Sequence, residues 1–324
     1  LLVAASLTAL LVCPFIGIER VPLRALLEKG GETETLRMIF WQIRIPRVAV
    51  GFLAGAGLGV CGMAFQALFR NALATPFTLG VAGGASLGAA IYVRLGFSFA
   101  LLSVSGVSVF AFLGALAAVS LVYGLTRVAH GFNTGTLLLA GIAVNLSLSS
   151  LILLIQYMSD FTHSFQIVRW LMGGLEVMGY ESLLSLAPLV FTGVAVLAGL
   201  THELNLMTAG EELAVSRGVE VRRLKHVLFL TTSVCVGGVV AVCGPIGFIG
   251  MMAPHICRLL VGANHRRLLP ATCLFGGMFL VVCDTAARIM IAPAEMPVGV
   301  ITSVLGGPFF IWLLVGGRAG RPRA

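Results

Sequence analysis

The chain has 324 residues, 58% of them hydrophobic and 10% charged, and a formal net charge of +8. This is too little polar surface to coat a soluble globule of that length, so the chain reads as an all-α membrane protein. Its apolar stretches run for about 18 to 22 residues without the period-two alternation of a barrel strand, and in a bilayer the cationic excess reports orientation rather than a nucleic-acid partner.

Breaks at charged or Pro/Gly-rich joints predict about ten spans, near 1–18, 47–67, 79–97, 104–126, 135–157, 180–201, 225–243, 247–262, 269–290 and 298–316. The first opens inside an apolar run with no initiator Met and no basic n-region, and reads as a trimmed span rather than a signal peptide. The second contains a formal G-x-G-x-x-G at Gly57, Gly59 and Gly62, but no strand precedes it. A small-residue packing face through Gly51, Gly55 and Gly59 fits better than a dinucleotide site. In the fifth span Asn145, Ser149 and Gln156 share roughly one helical face, with Ser147 and Ser150 beside it. Such a stripe either bonds to a neighbouring helix or lines an aqueous path.

Residues 203–226, "ELNLMTAGEELAVSRGVEVRRLKH", carry eight charged side chains between the sixth and seventh spans. Thr208 and Glu211 match the S/T-x-x-E capping box and Gly218 suits a stop after Arg217, which predicts a short helix over 209–217. At about 1.5 Å per residue it is roughly 14 Å long, too short to cross a membrane. It lies along the surface, either as a solvated connector or as a docking element. Near the end of the ninth span Asp284 and Arg288 stand i, i+4 and can pair, with Glu295 in the following loop; local neutralisation and a docking role both fit.

An even number of spans puts both termini on one side. The loops on that side and the C-terminus hold twelve of the 21 cations and four of the 13 acids, so that side, with both termini, is cytoplasmic. The two lysines, Lys29 and Lys225, lie outside any P-loop pattern, which excludes a self-contained P-loop ATPase. The seven cysteines never fall in C-x-x-C and the six histidines never in H-E-x-x-H; both read as membrane-core and loop residues.

The segment "WQIRIPRVAVGFLAGAGLGVCGMAFQALFRNALATPFTLGVAGGASLGA" (41–89) resembles the start of the iron-chelate and vitamin B12 importer permeases, the membrane subunits of type II ABC importers. The likeness continues through "TLLLAGIAVN" (136–145), "RWLMGGL" (169–175), "LNLMTAGEELAVSRGV" (204–219), "GPIGFIGMMAPHICRLLVGANHRRLLP" (244–270) and "AEMPVGVITSVLGGPFFIWLL" (294–314). Ala72 departs from the family's usual "RNPLA", and Ala209 from its usual "LxLGE".

The resemblance implies a single transmembrane permease domain over 1–324, with spans two to five and seven to ten as an inverted repeat. It makes residues 208–219 a coupling helix resting on a separate ATPase, through Thr208, Glu211, Glu212, Leu213, Arg217 and Gly218. It implies a homodimer whose path is lined by Asn145 and Ser149, with a cytoplasmic gate at Asn133, Thr134 and Gly135. Arg44, Arg47 and Arg288 would meet glutamates of a periplasmic binding protein. ATP and Mg would act on two partner ATPase subunits, with no cofactor or metal in this chain and no covalent chemistry of its own. The expected setting is the bacterial inner membrane and the expected cargo a ferric siderophore, with haem and cobalamin as alternatives. A secondary transporter working without ATP, and a structural scaffold, are the rival classes.

Overall fold

The computed structural model describes residues 1–19, 21–22, 32–101, 104–129 and 134–319. Helix α1 (Leu2–Val12) is followed by α2 (Glu32–Met38), which runs through a wide π turn (Ile39–Arg44) into the long α3 (Ile45–Phe69). A short turn of helix, Pro76–Leu79, leads to α4 (Val81–Arg94). Two short strands, β1 (Ala100–Leu101) and β2 (Val104–Ser105), pair antiparallel before α5 (Gly106–Val128) and α6 (Thr134–Tyr157). Then come α7 (Phe161–Leu171), α8 (Glu181–Gly199), α9 (Thr201–Ala209) and α10 (Glu211–Ser216). The chain continues through α11 (Val221–Cys243), α12 (Ile249–Val261), α13 (His265–Met290) and α14 (Val298–Ala319).

Every predicted span falls on a helix. Among the described residues six helical stretches are long and apolar enough to cross a membrane, and Leu2–Phe15, Ile249–Val261 and Val298–Leu313 are shorter apolar helices. The four helices from α3 have 25, 14, 23 and 24 residues, and the four from α11 have 23, 13, 26 and 22. The short second member of each set follows an irregular Pro- and Gly-containing connector, 76–80 and 244–248, so the length pattern agrees with the expected repeat.

Helices α2, α7 and α9 lie where the sequence reading expected loop. Helix α9 continues α8 after a break at Leu200; its Thr, His, Glu and Asn side chains ended the apolar pattern but not the helix. Helix α7 starts at Asp160, whose Oδ1 accepts from the His163 backbone N–H at 3.1 Å. That bond and the His163 ring hold the Asp160 carboxyl below the usual carboxylate range.

The core is built on α3, buried along nearly its whole length against α13, α12, α11 and α8. Its glycines decide how closely it packs: a Cβ on Gly55 would run into the Gly276 carbonyl of α13, and one on Gly62 into Gly250 of α12. The G-x-G-x-x-G is thus a helix-packing face, where small residues let backbones approach in the absence of a hydrophobic drive from lipid. All seven cysteines are free thiols, buried or half-buried.

Candidate functional site

Helices α3 and α13 run antiparallel, so they define two ends of the bundle, and each end gathers polar groups. At one end lies α10. It is separated from α9 by the single residue Gly210, whose φ of 143° with ψ of 146° only glycine adopts readily. It stops at Arg217, followed by Gly218 at φ 84°. The Gly218 N–H reaches the Val215 carbonyl at 2.9 Å and the Val219 N–H the Ala214 carbonyl at 3.0 Å, the left-handed closure that glycine supplies.

The expected capping box is corrected by this geometry. Thr208 belongs to the last turn of α9, where its hydroxyl donates to the Asn205 carbonyl at 2.7 Å, and the residue before α10 is Gly210. Glu211 does not turn back to cap: it takes two hydrogen bonds from Lys225 Nζ, at 2.8 and 2.9 Å, which fastens α10 to the first turns of α11. Ala214 is buried beneath the helix, whereas Leu213 and Val215 are 43% and 58% exposed and Glu212 and Arg217 are exposed beside them. Among the described residues neither Glu212 nor Arg217 enters an ion pair. A cavity of about 700 Å³ flanks α10, with His202, Glu203, Arg217, Glu220 and Arg223 in its lining.

Sequence reasoning missed the tie that steadies this end. Asn205 Oδ1 accepts from the His265 backbone N–H at 2.9 Å and from His265 Nδ1 at 2.8 Å, and Asn205 Nδ2 donates to Asn264 Oδ1 at 3.3 Å. Helix α9 is thereby bonded to the start of α13, 60 residues on.

At the opposite end Arg44, Arg47, Asp284 and Arg288 are buried. Arg47 Nε and Nη2 hold Asp284 at 2.9 to 3.1 Å, and Arg47 Nη1 donates to Glu295 Oε2 at 2.8 Å. Arg288 lies 3.3 Å from Asp284 and donates to the Thr285 hydroxyl at 3.0 Å and the Ile16 carbonyl at 3.3 Å. Arg44 donates to the Pro14 and Glu19 carbonyls. The side chains of Arg47 and Asp284 are 9% and 2% exposed. The expected i, i+4 pairing of Asp284 with Arg288 is present. The three arginines, expected to meet a partner, are buried and bond within the chain, Arg47 and Arg288 to Asp284 and Arg44 to backbone carbonyls, because an unpaired guanidinium is too costly to bury.

The "RWLMGGL" motif folds over this end. Gly174 N–H donates to the Cys243 carbonyl at 2.8 Å, Gly179 N–H to Gln42 at 2.8 Å, and Gly299 N–H to Gly173 at 3.2 Å. The motif thus joins the end of α11 to the start of α14, and Gly179, just beyond it, reaches the π turn. The exposed pair Arg169–Glu176, 2.7 Å apart, also went unforeseen. A cavity of about 450 Å³ here is lined in part by Arg47, Gln166, Arg169, Trp170, Glu176 and Glu295.

Of the expected path residues, Ser149 is exposed, whereas Asn145 is half-buried with its amide against Gly83 of α4. Ser147 and Ser150 donate to carbonyls four residues back, at 2.9 and 3.0 Å, and the open face of α6 is mostly apolar, with leucine the commonest residue on it. Asn133 and the Thr134 side chain lie outside the described residues, and Gly135 sits in the first turn of α6.

A family model described as the FecCD transport family matches residues 1–316. The chain is 41% identical to the hemin transport system permease protein HmuU of Yersinia pestis over 87% of its own length and 85% of that protein's. It is 39% identical to the cobalamin import system permease protein BtuC of Halobacterium salinarum, over 88% of this chain and 75% of the relative. A solved structure, described as an inward-facing ABC transporter assigned to the metal-chelate type, superposes with a TM-score of 0.85 at 30% identity, covering 98% of each chain.

Proposed function

Because the chain belongs to the FecCD transport family, it is a multi-pass membrane permease of the ABC importer class, and we propose that it imports a ferric siderophore across the bacterial inner membrane. In this reading two copies form the path, two separate ATPase subunits supply ATP and Mg chemistry, and a periplasmic binding protein delivers the cargo. The observation that carries the coupling half of the reading is α10. It is a short helix with apolar and charged side chains open together, held at its first residues by the Gly210 joint and the Glu211 bonds to Lys225, and closed at its other end by the Gly218 turn.

Force applied to α10 passes through the Lys225 pair into α11, a core helix packed on α3, α5 and α8. Closure of the ATPase pair would therefore favour one of two helix arrangements, which is the whole of the coupling required. The proposed contacts are Glu212, Leu213 and Arg217, with Glu211 and Gly218 as positioning residues and Thr208 in the last turn of α9. Asn145, Ser149, Asn133, Thr134 and Gly135 remain the proposed path and gate. A leucine-rich face on α6 suits a bulky cargo that must not bind tightly. Haem is the second reading, favoured by the 41% identity to the hemin permease.

The test is ATP-dependent uptake into proteoliposomes, with the cognate ATPase and binding protein and a labelled panel of ferric siderophores, haem and cobalamin. Accumulation of a ferric siderophore that requires ATP and the binding protein is expected. Accumulation of haem or cobalamin alone would correct the cargo, and accumulation independent of ATP would remove the mechanism.

A further inference from the structure

We propose that Glu295 is a displaceable internal ligand of Arg47, and that a carboxylate side chain of the docking protein takes its place on Arg47 Nη1. The inference rests on the proposed function, with the binding protein docking at this end through Arg44, Arg47 and Arg288 as the family resemblance implies.

Arg47 divides its donors between two acids of different character. Nε and Nη2 are committed to Asp284, which is 2% exposed and out of reach of any partner. Nη1 goes to Glu295 alone, whose side chain is 45% exposed and sits in the loop between α13 and α14. An exposed carboxylate gives up such a bond cheaply, because water and other acids compete for it; a buried one does not.

The cavities show where the substitute would enter. The 450 Å³ cavity beside Trp170 and a second of about 210 Å³ lined by Gly17, Glu19, Arg44 and Arg288 share two lining residues, Arg47 and Glu295. Withdrawing Glu295 exposes Nη1 to both. It also leaves two guanidiniums, those of Arg47 and Arg288, sharing one buried carboxylate, Asp284, with Arg288 Nε held by it only at 3.3 Å. That excess of positive charge selects an acidic group, and a planar carboxylate fits a guanidinium edge. Glu295 therefore keeps the end neutral when nothing is docked and competes with the partner when it arrives.

The experiment measures affinity of the cognate binding protein for the full transporter in nanodiscs, for the wild type, Glu295→Gln and Glu176→Gln. Glu295→Gln should bind about threefold to fivefold tighter, the worth of one exposed ion pair, while Glu176→Gln, which removes an equal charge nearby from Arg169, should leave affinity unchanged. Unchanged or weaker binding by Glu295→Gln overturns the displacement, and so does equal tightening by both variants, which would be a general charge effect. If the wild type fails to bind the binding protein at all, the docking reading itself is wrong and the inference falls with it.

Discussion

At the α10 end of the bundle, charged and apolar side chains stand open together; at the Arg47 end, a denser set of charges is folded inward and bonded within the chain. Both ends contain arginine and glutamate, and their difference lies in what each charge already holds. Glu212 and Arg217 form no ion pair among the described residues, so a partner meets them as they are. Arg47 is already bonded to Asp284 and Glu295, so a partner must exchange for something. One end is built as a standing contact and the other as a closed one.

The contrast can be broken most sharply at the buried end. Asp284→Ala strands Arg47 and Arg288 without their shared buried carboxylate, and a cost of about 3 to 5 kcal/mol is expected. Thermal unfolding in detergent and the amount of protein in the membrane report it, and a near-normal melting temperature would show that the network is not structural. Glu212→Arg acts at the open end and should do the opposite: uptake falls by about tenfold or more, as when a charge at a docking contact is reversed, while membrane abundance is unchanged. A drop in abundance would mean that Glu212 supports the fold.

Between these lies Lys225→Ala, which frees Glu211 and loosens α10 from α11. Because Glu211 is half exposed, the stability loss should be about 1 kcal/mol or less, with a larger effect on the coupling of hydrolysis to uptake than on hydrolysis itself; equal losses in both would remove the lever. Smallest of all is Arg169→Ala, whose pair with Glu176 is exposed on both sides. A shift within about 0.5 kcal/mol is expected in the same melting assay.

The comparison also explains which features were legible in the sequence. Helix α10 could be placed because charges interrupt an apolar chain there and Gly218 marks its stop. Its cap could not, because S/T-x-x-E looks the same whether the Thr precedes a helix or closes the one before, as Thr208 does. The Asp284–Arg288 pair follows from i, i+4 spacing, but Arg47 meets Asp284 across 237 residues, and no local pattern reports whether an arginine near a span end points out or in. Helix α7 escaped because its face alternates Phe and Val with Thr, His and Gln, and nothing marked its start except the Asp160 cap. The apolar helices themselves were visible, because a backbone in lipid must satisfy its own hydrogen bonds and long apolar runs become helices.

The most direct test of the account is whether the open end holds the ATPase. Purified permease should retain the cognate ATPase subunit in detergent, and Leu213→Asp, which puts a charge on the apolar side chain exposed at the centre of α10, should release it while binding-protein affinity stays unchanged. Retention of the ATPase by Leu213→Asp at wild-type affinity would contradict the account, because the contact would then lie elsewhere on the chain.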